Sequence, residues 1–153
     1  MYQYVLLLVS CVAGVAIGYA GINAQRHLTA TSFLVVGNVN QGSFVQVGGE
    51  VASGGTVVLG SVAGSTGGYV LEAGTLSTTN QLLVGHQGGA LFEQQGGQLD
   101  VGTSLVLGNA TGGTGTFSMT NGVLNVGTRL NNPLVVGAAN TNSTTGTANL
   151  LGG

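Results

Sequence analysis

Four carboxylates (Glu50, Glu72, Glu93, Asp100), two arginines (Arg26, Arg129), two histidines (His27, His86) and one cysteine (Cys11) are the side chains that could serve acid–base, metal or thiolate chemistry in these 153 residues. Carboxylates held close together, with Ca²⁺ and a basic residue to take or stabilise a proton, would make a general acid–base site. Histidines at ligand spacing would hold a transition metal, but His27 has no such partner. The supply is thin: 4% of residues are charged, none is lysine, and the net charge is −2. Two arginines cannot neutralise a phosphate backbone, so nucleic acid is excluded as a partner. A single cysteine excludes a disulfide framework, and a single proline without a Gly-X-Y period excludes a collagen helix. Hydrophobic residues make up 43% of the chain and the mean hydropathy is +0.45, which argues against disorder.

The elements that must position these groups come from a repeat. An apolar run closed by glycine occurs five times, ending at Gly37, Gly60, Gly85, Gly108 and Gly137, at spacings of 23, 25, 23 and 29 residues. A second marker follows it: Gly48-Gly49, Ala73-Gly74, Gly96-Gly97, Asn121-Gly122 and Gly152-Gly153. Aligned copies give columns of constant character. One is Phe44, Tyr69, Phe92, Phe117, Ala148; another is Val51, Leu76, Leu99, Leu124. In the first run, Leu34, Val57, Leu82, Leu105, Leu134 form a column, and Val36, Leu59, Val84, Leu107, Val136 form another two residues on. Apolar positions two apart have the strand period. Each copy therefore reads as three short strands with Gly, Asn, Ser and Thr at the bends. One copy cannot bury its apolar face alone, whereas stacked copies share a continuous core at about 4.8 Å per coil.

The fold class that follows is all-β: a single-stranded parallel β-helix, or β-solenoid, of about five coils of 23–25 residues, preceded by an N-terminal apolar helix. Parallel crossovers favour a right-handed coil. An antiparallel sandwich would not explain columns of one character at one period. Residues 33–153 carry the repeats and 25–32 a linker. Arg129–Pro133 extends a corner, Asn140–Thr145 forms a longer loop, and Gly112-Gly113-Thr114-Gly115 is a turn.

Placed on this register, no two acids share a column, so no vertical carboxylate pair is expected. His86 falls in a polar corner column with Asn38, Ser61, Asn109 and Ala138. Arg129 serves as a solubilising or loop-tying charge. No serine has glycine at both −2 and +2, and no consistent Thr column makes a Thr-x-Thr ladder. We expect no catalytic, cofactor-binding or metal residues and no cofactor. The aromatic column Phe44, Tyr69, Phe92, Phe117 is expected to stack as the structural core. Between the inward columns of the first run lie Val35, Val58, Leu83, Val106 and Val135. They are either covered by a neighbouring element or form an apolar interaction stripe along the rod.

Residues 1–24 hold a 17-residue uncharged run, Tyr4–Ala20. A cleaved signal peptide fits its position and small residues, with cleavage after Ala20 or Ala24. A signal anchor fits its length. Leu8-Val9-Ser10-Cys11 also looks like a lipobox, although Cys11 is more simply a small apolar residue. Each alternative sends the remaining chain out of the cytoplasm, with membrane contact only through this segment if it is uncleaved.

Units such as Leu105–Val126 (LVLGNATGGTGTFSMTNGVLNV) resemble the repeats of bacterial cell-surface β-helix proteins, the autotransporter-type passengers and PEP-CTERM-associated repeat proteins. The resemblance covers residues 33–153. It implies a β-helix exposed outside the cell, with a structural, adhesive or surface-display role and cell-surface or matrix components as partners. β-Helices also include polysaccharide lyases and hydrolases, so the alternatives are the non-catalytic part of a polysaccharide-active protein and a filament subunit that self-associates through solenoid ends. The chain is expected to be a fragment or a short member of a longer design.

Overall fold

A computed structural model describes residues 27–127, 134–137 and 145–151. It is a parallel β-solenoid of about four turns, and every strand pairing described is parallel. The apolar helix expected within residues 1–24 lies outside the described residues, as do most of the linker's start, Arg129–Pro133 and Asn140–Thr144.

One sheet contains β2 (Phe33–Val36), β4 (Thr56–Leu59), β6 (Leu82–Val84), β9 (Leu105–Leu107) and β12 (Leu134–Val136), stacked in that order. A second, eight-stranded sheet covers the other two sides of the coil. Its strands are β1 (His27–Ala30), β3 (Gln41–Ser53), β5 (Thr66–Thr78), β7 (Gly89–Gln94), β8 (Gln98–Val101), β10 (Thr114–Met119), β11 (Val123–Val126) and β13 (Thr145–Leu150). The three short strands expected per copy are separate in the third and fourth copies. In the first two, the second and third strands merge into the 13-residue β3 and β5. Register shifts between Gln46 and Glu50 bend β3 against β5 there, so the chain turns the corner through a bulge without leaving the sheet. Two boundaries also move: Thr114 and Gly115 open β10, and Thr145 opens β13. Their backbones pair with the adjacent coil, which draws them out of the expected turn and loop.

The register follows the aligned columns. Phe44 pairs with Tyr69, Tyr69 with Phe92, Phe92 with Phe117 and Phe117 with Ala148. The rings of Phe44, Tyr69, Phe92 and Phe117 stack with centroids 4.9, 5.1 and 5.4 Å apart, all four buried. Around them lie Val51, Leu76 and Leu99 from one side, and Val57, Leu59, Leu82, Val84, Leu105 and Leu107 from another. Stacking at this offset adds to the burial term because ring quadrupoles favour it over a face-to-face sandwich.

The closing glycine of each run makes the tight corner. Gly85, at φ 75°, sits where a Cβ would overlap the Thr114 carbonyl of the next coil, so both the dihedral and the space require glycine. Gly74 makes the equivalent turn at the second marker, φ 86°, packed on the Gly48-Gly49 backbone.

Candidate functional site

The side chains singled out for chemistry lie on different outward columns. Glu50 faces Thr75 across β3 and β5, Glu93 faces Val70 and Ser118, and Asp100 faces Ser77 and Asn125. Glu72 is exposed beside the bulge, where the register skips it. Arg26, Arg129 and Cys11 lie outside the described residues. Among the described residues, no three of His, Cys, Asp and Glu come close enough to hold a metal ion.

Several of these groups are engaged by their neighbours. Asp100 accepts hydrogen bonds from Gln98 Nε2 at 2.7 and 3.0 Å, one to each oxygen, and from Asn125 Nδ2 at 2.7 Å. His27 Nδ1 lies 2.9 Å from Glu50 Oε2 at the exposed start of the stack. In the corner column, Asn109 Nδ2 is 2.7 Å from His86 Nδ1. An amide NH₂ can only donate there, which leaves the ring proton on Nε2. These contacts connect consecutive coils, or neighbours on one strand, so polar side chains serve as rungs between turns.

The most concave part of this outer surface is a shallow, open depression of about 280 Å³. Ser77, Thr79, Asp100 and Asn125 line it, with the glycines Gly102 and Gly127 at its base. It offers hydroxyl, amide and carboxylate oxygens at coil spacing. It brings together none of the other acids. On the adjoining face Thr114 and Thr116 pair with Thr145 and Thr147, so threonines do align over the last two copies. Gly89 and Leu91 interrupt the column on the coil before.

The apolar column Val35, Val58, Leu83, Val106, Val135 presents unequal surface. Leu83 and Val106 are only 7% and 4% exposed, while the other three are half-buried. Neither Leu83 nor Val106 belongs to the core cluster.

Inside the solenoid is an arrangement that the polar composition hid. Gln46 and Gln94 are wholly buried, in an inward column with Leu71 and Met119. Gln46 Nε2 donates to the carbonyls of Gly49 and Thr75, at 3.2 and 3.0 Å. Gln94 Nε2 repeats this one pair of coils later, to Gly97 and Val123, at 3.4 and 2.9 Å. Gln46 Oε1 accepts from the Tyr69 hydroxyl at 2.7 Å, and burial pushes that phenol's pKa above the usual tyrosine range. The signal was available: each glutamine follows an aromatic-column residue by two positions and so points inward. Nearby, Thr78 Oγ1 donates to the Gly55 carbonyl, tying β5 to the corner before β4.

No protein-family profile, curated protein or solved structure matches this chain.

Proposed function

We propose that this chain is a secreted or cell-surface β-solenoid repeat module with a structural or adhesive role and no catalytic activity. The observation that supports this most directly is how the polar side chains are used. Buried amides fix one coil to the next, and outward groups such as Asp100 and His86 bond within their own ladders. A stack bound along both sheets and filled by aromatic and aliphatic columns makes a stiff rod with few charges to repel its own copies. Residues 1–24 act as the apolar helical export signal or anchor, and the repeats continue the coil to about five turns of 23–25 residues. Cell-surface or matrix components are the partners, without nucleic acid or a cofactor.

A reporter fused behind residues 1–24 should leave the cytoplasm. The purified chain should resist protease and leave acidic polysaccharides intact. Polysaccharide turnover would favour the polysaccharide-active alternative, and a reporter retained in the cytoplasm would overturn the export assignment. The filament alternative has its own supporting observation: apolar side chains of the inward columns stand exposed at the end of the stack, Leu150 at 59%.

A further inference from the structure

The two ends of the described stack are in phase. Each side of the coil carries five strands: β2, β4, β6, β9 and β12 on one; the first parts of β3 and β5, with β7, β10 and β13, on the next; β1, the last parts of β3 and β5, with β8 and β11, on the third. The chain enters with β1 and leaves with β13, so the strand required after β13 lies on the side where β1 begins. At the leaving end, inward side chains are open to solvent: Leu134 is 45% and Val136 48% exposed. The entering end is more closed. Leu28 and Leu34 pack against the core, and Phe33 at the rim is 66% exposed. Sheet edges are commonly protected by charge, proline or a bulge. β12 and β13 contain no charged residue and no proline.

We propose that the leaving end receives the entering end of a second copy, in the register that already joins coil to coil. This rests on the structural reading above and names its partner as the chain itself. In that register Leu34 and Val36 of the second copy continue the columns of Leu134 and Val136. Gly42 lands on Gly146, where a Cβ at either position would meet the backbone of a neighbouring corner. Phe44 lands on Ala148, the small member of the aromatic column, which leaves room above the joint for the ring. Edge backbone groups pair as they do within the molecule, and no like charges are brought together.

The test uses the full chain carrying Cys11→Ala, prepared once with Ser43→Cys and once with Thr147→Cys. These positions face each other across the joint at roughly the spacing of paired strands, about 4.8 Å, within the Cα range a disulfide accepts. Mixing the two under mild oxidation should give a disulfide-linked dimer that neither forms alone. Adding Ala148→Arg to the Thr147→Cys chain should abolish it while the circular dichroism spectrum stays unchanged. A mixture that remains monomeric overturns the proposal. So does dimerisation of either preparation by itself, or cross-linking that survives Ala148→Arg. Polysaccharide turnover by the same preparations would sink the structural reading separately, since the cross-link reports only on the joint.

Discussion

Gln46 with Tyr69 and Gln94 with Phe117 are the same construction at two heights in one stack. Both amides are buried, both use their nitrogens on two carbonyls at matching positions, and both oxygens face the aromatic column one coil on. The residue in that column differs. Tyr69 supplies a hydroxyl at 2.7 Å, whereas Phe117 has none, and among the described residues Gln94 Oε1 has no hydrogen-bond partner. A buried acceptor without a donor forfeits its hydration, which costs about 1–3 kcal/mol. The repeat thus specifies where an amide sits, while the identity of a single atom decides whether it stabilises the stack.

Removing the ring should have the largest effect. Tyr69→Ala opens a cavity between Phe44 and Phe92 and orphans Gln46 Oε1 as well; a loss of about 3–5 kcal/mol is expected for the cavity, seen as a lower denaturant midpoint. Tyr69→Phe makes the upper pair like the lower one and should cost about 1–3 kcal/mol. If it costs nothing, the Tyr69–Gln46 bond is not what distinguishes the pairs. Phe117→Tyr makes the lower pair like the upper one and should stabilise by about 1 kcal/mol. A destabilised variant would show that the lower coils have no space for the hydroxyl. Gln94→Met should change stability least, within about 1 kcal/mol, because it removes the orphan oxygen along with the two nitrogen bonds and matches Met119 in its own column.

The alkaline limb separates the pairs again. Burial raises the folded pKa of Tyr69 above that of the unfolded chain, so its contribution is complete below about pH 10 and is lost as pH rises beyond it. The wild-type protein should therefore lose stability above that pH, and Tyr69→Phe should lose this part of the dependence. Equal alkaline profiles for the two would contradict the burial of that hydroxyl.

The coil register was legible because it is written many times over. Columns of Leu, Val and aromatic residues at the strand period leave little choice about which side chains face inward. The merging of second and third strands into β3 and β5 was not legible, since a bulge depends on how Gly48-Gly49 meets the next coil. Gln46 and Gln94 escaped notice for a different reason: glutamine is ordinarily a surface residue, and only its position relative to Phe44 and Phe92 betrays its direction. The alignment separated the acids correctly into different columns, but it could not reveal that Gln98 and Asn125 would hold Asp100 from two sides. Those contacts depend on side-chain reach, which column membership does not encode.

The glycine corners have a consequence for heredity. Gly85 and Gly108 have nearly the same backbone, φ 75° and 68°, at the same point of successive turns. A deletion of residues 86–108 would join Gly85 to Asn109 and place Tyr69 against Phe117, Leu71 against Met119 and Leu76 against Leu124. Every column would close over the gap, and the orphaned oxygen of Gln94 would leave with the excised segment. Such a chain should give the same circular dichroism signature per residue; a shortened protein that fails to fold would show that the turns are not interchangeable. The natural unit of variation here is the whole turn, so unequal crossing-over can reset the length of the rod without redesigning any residue that remains.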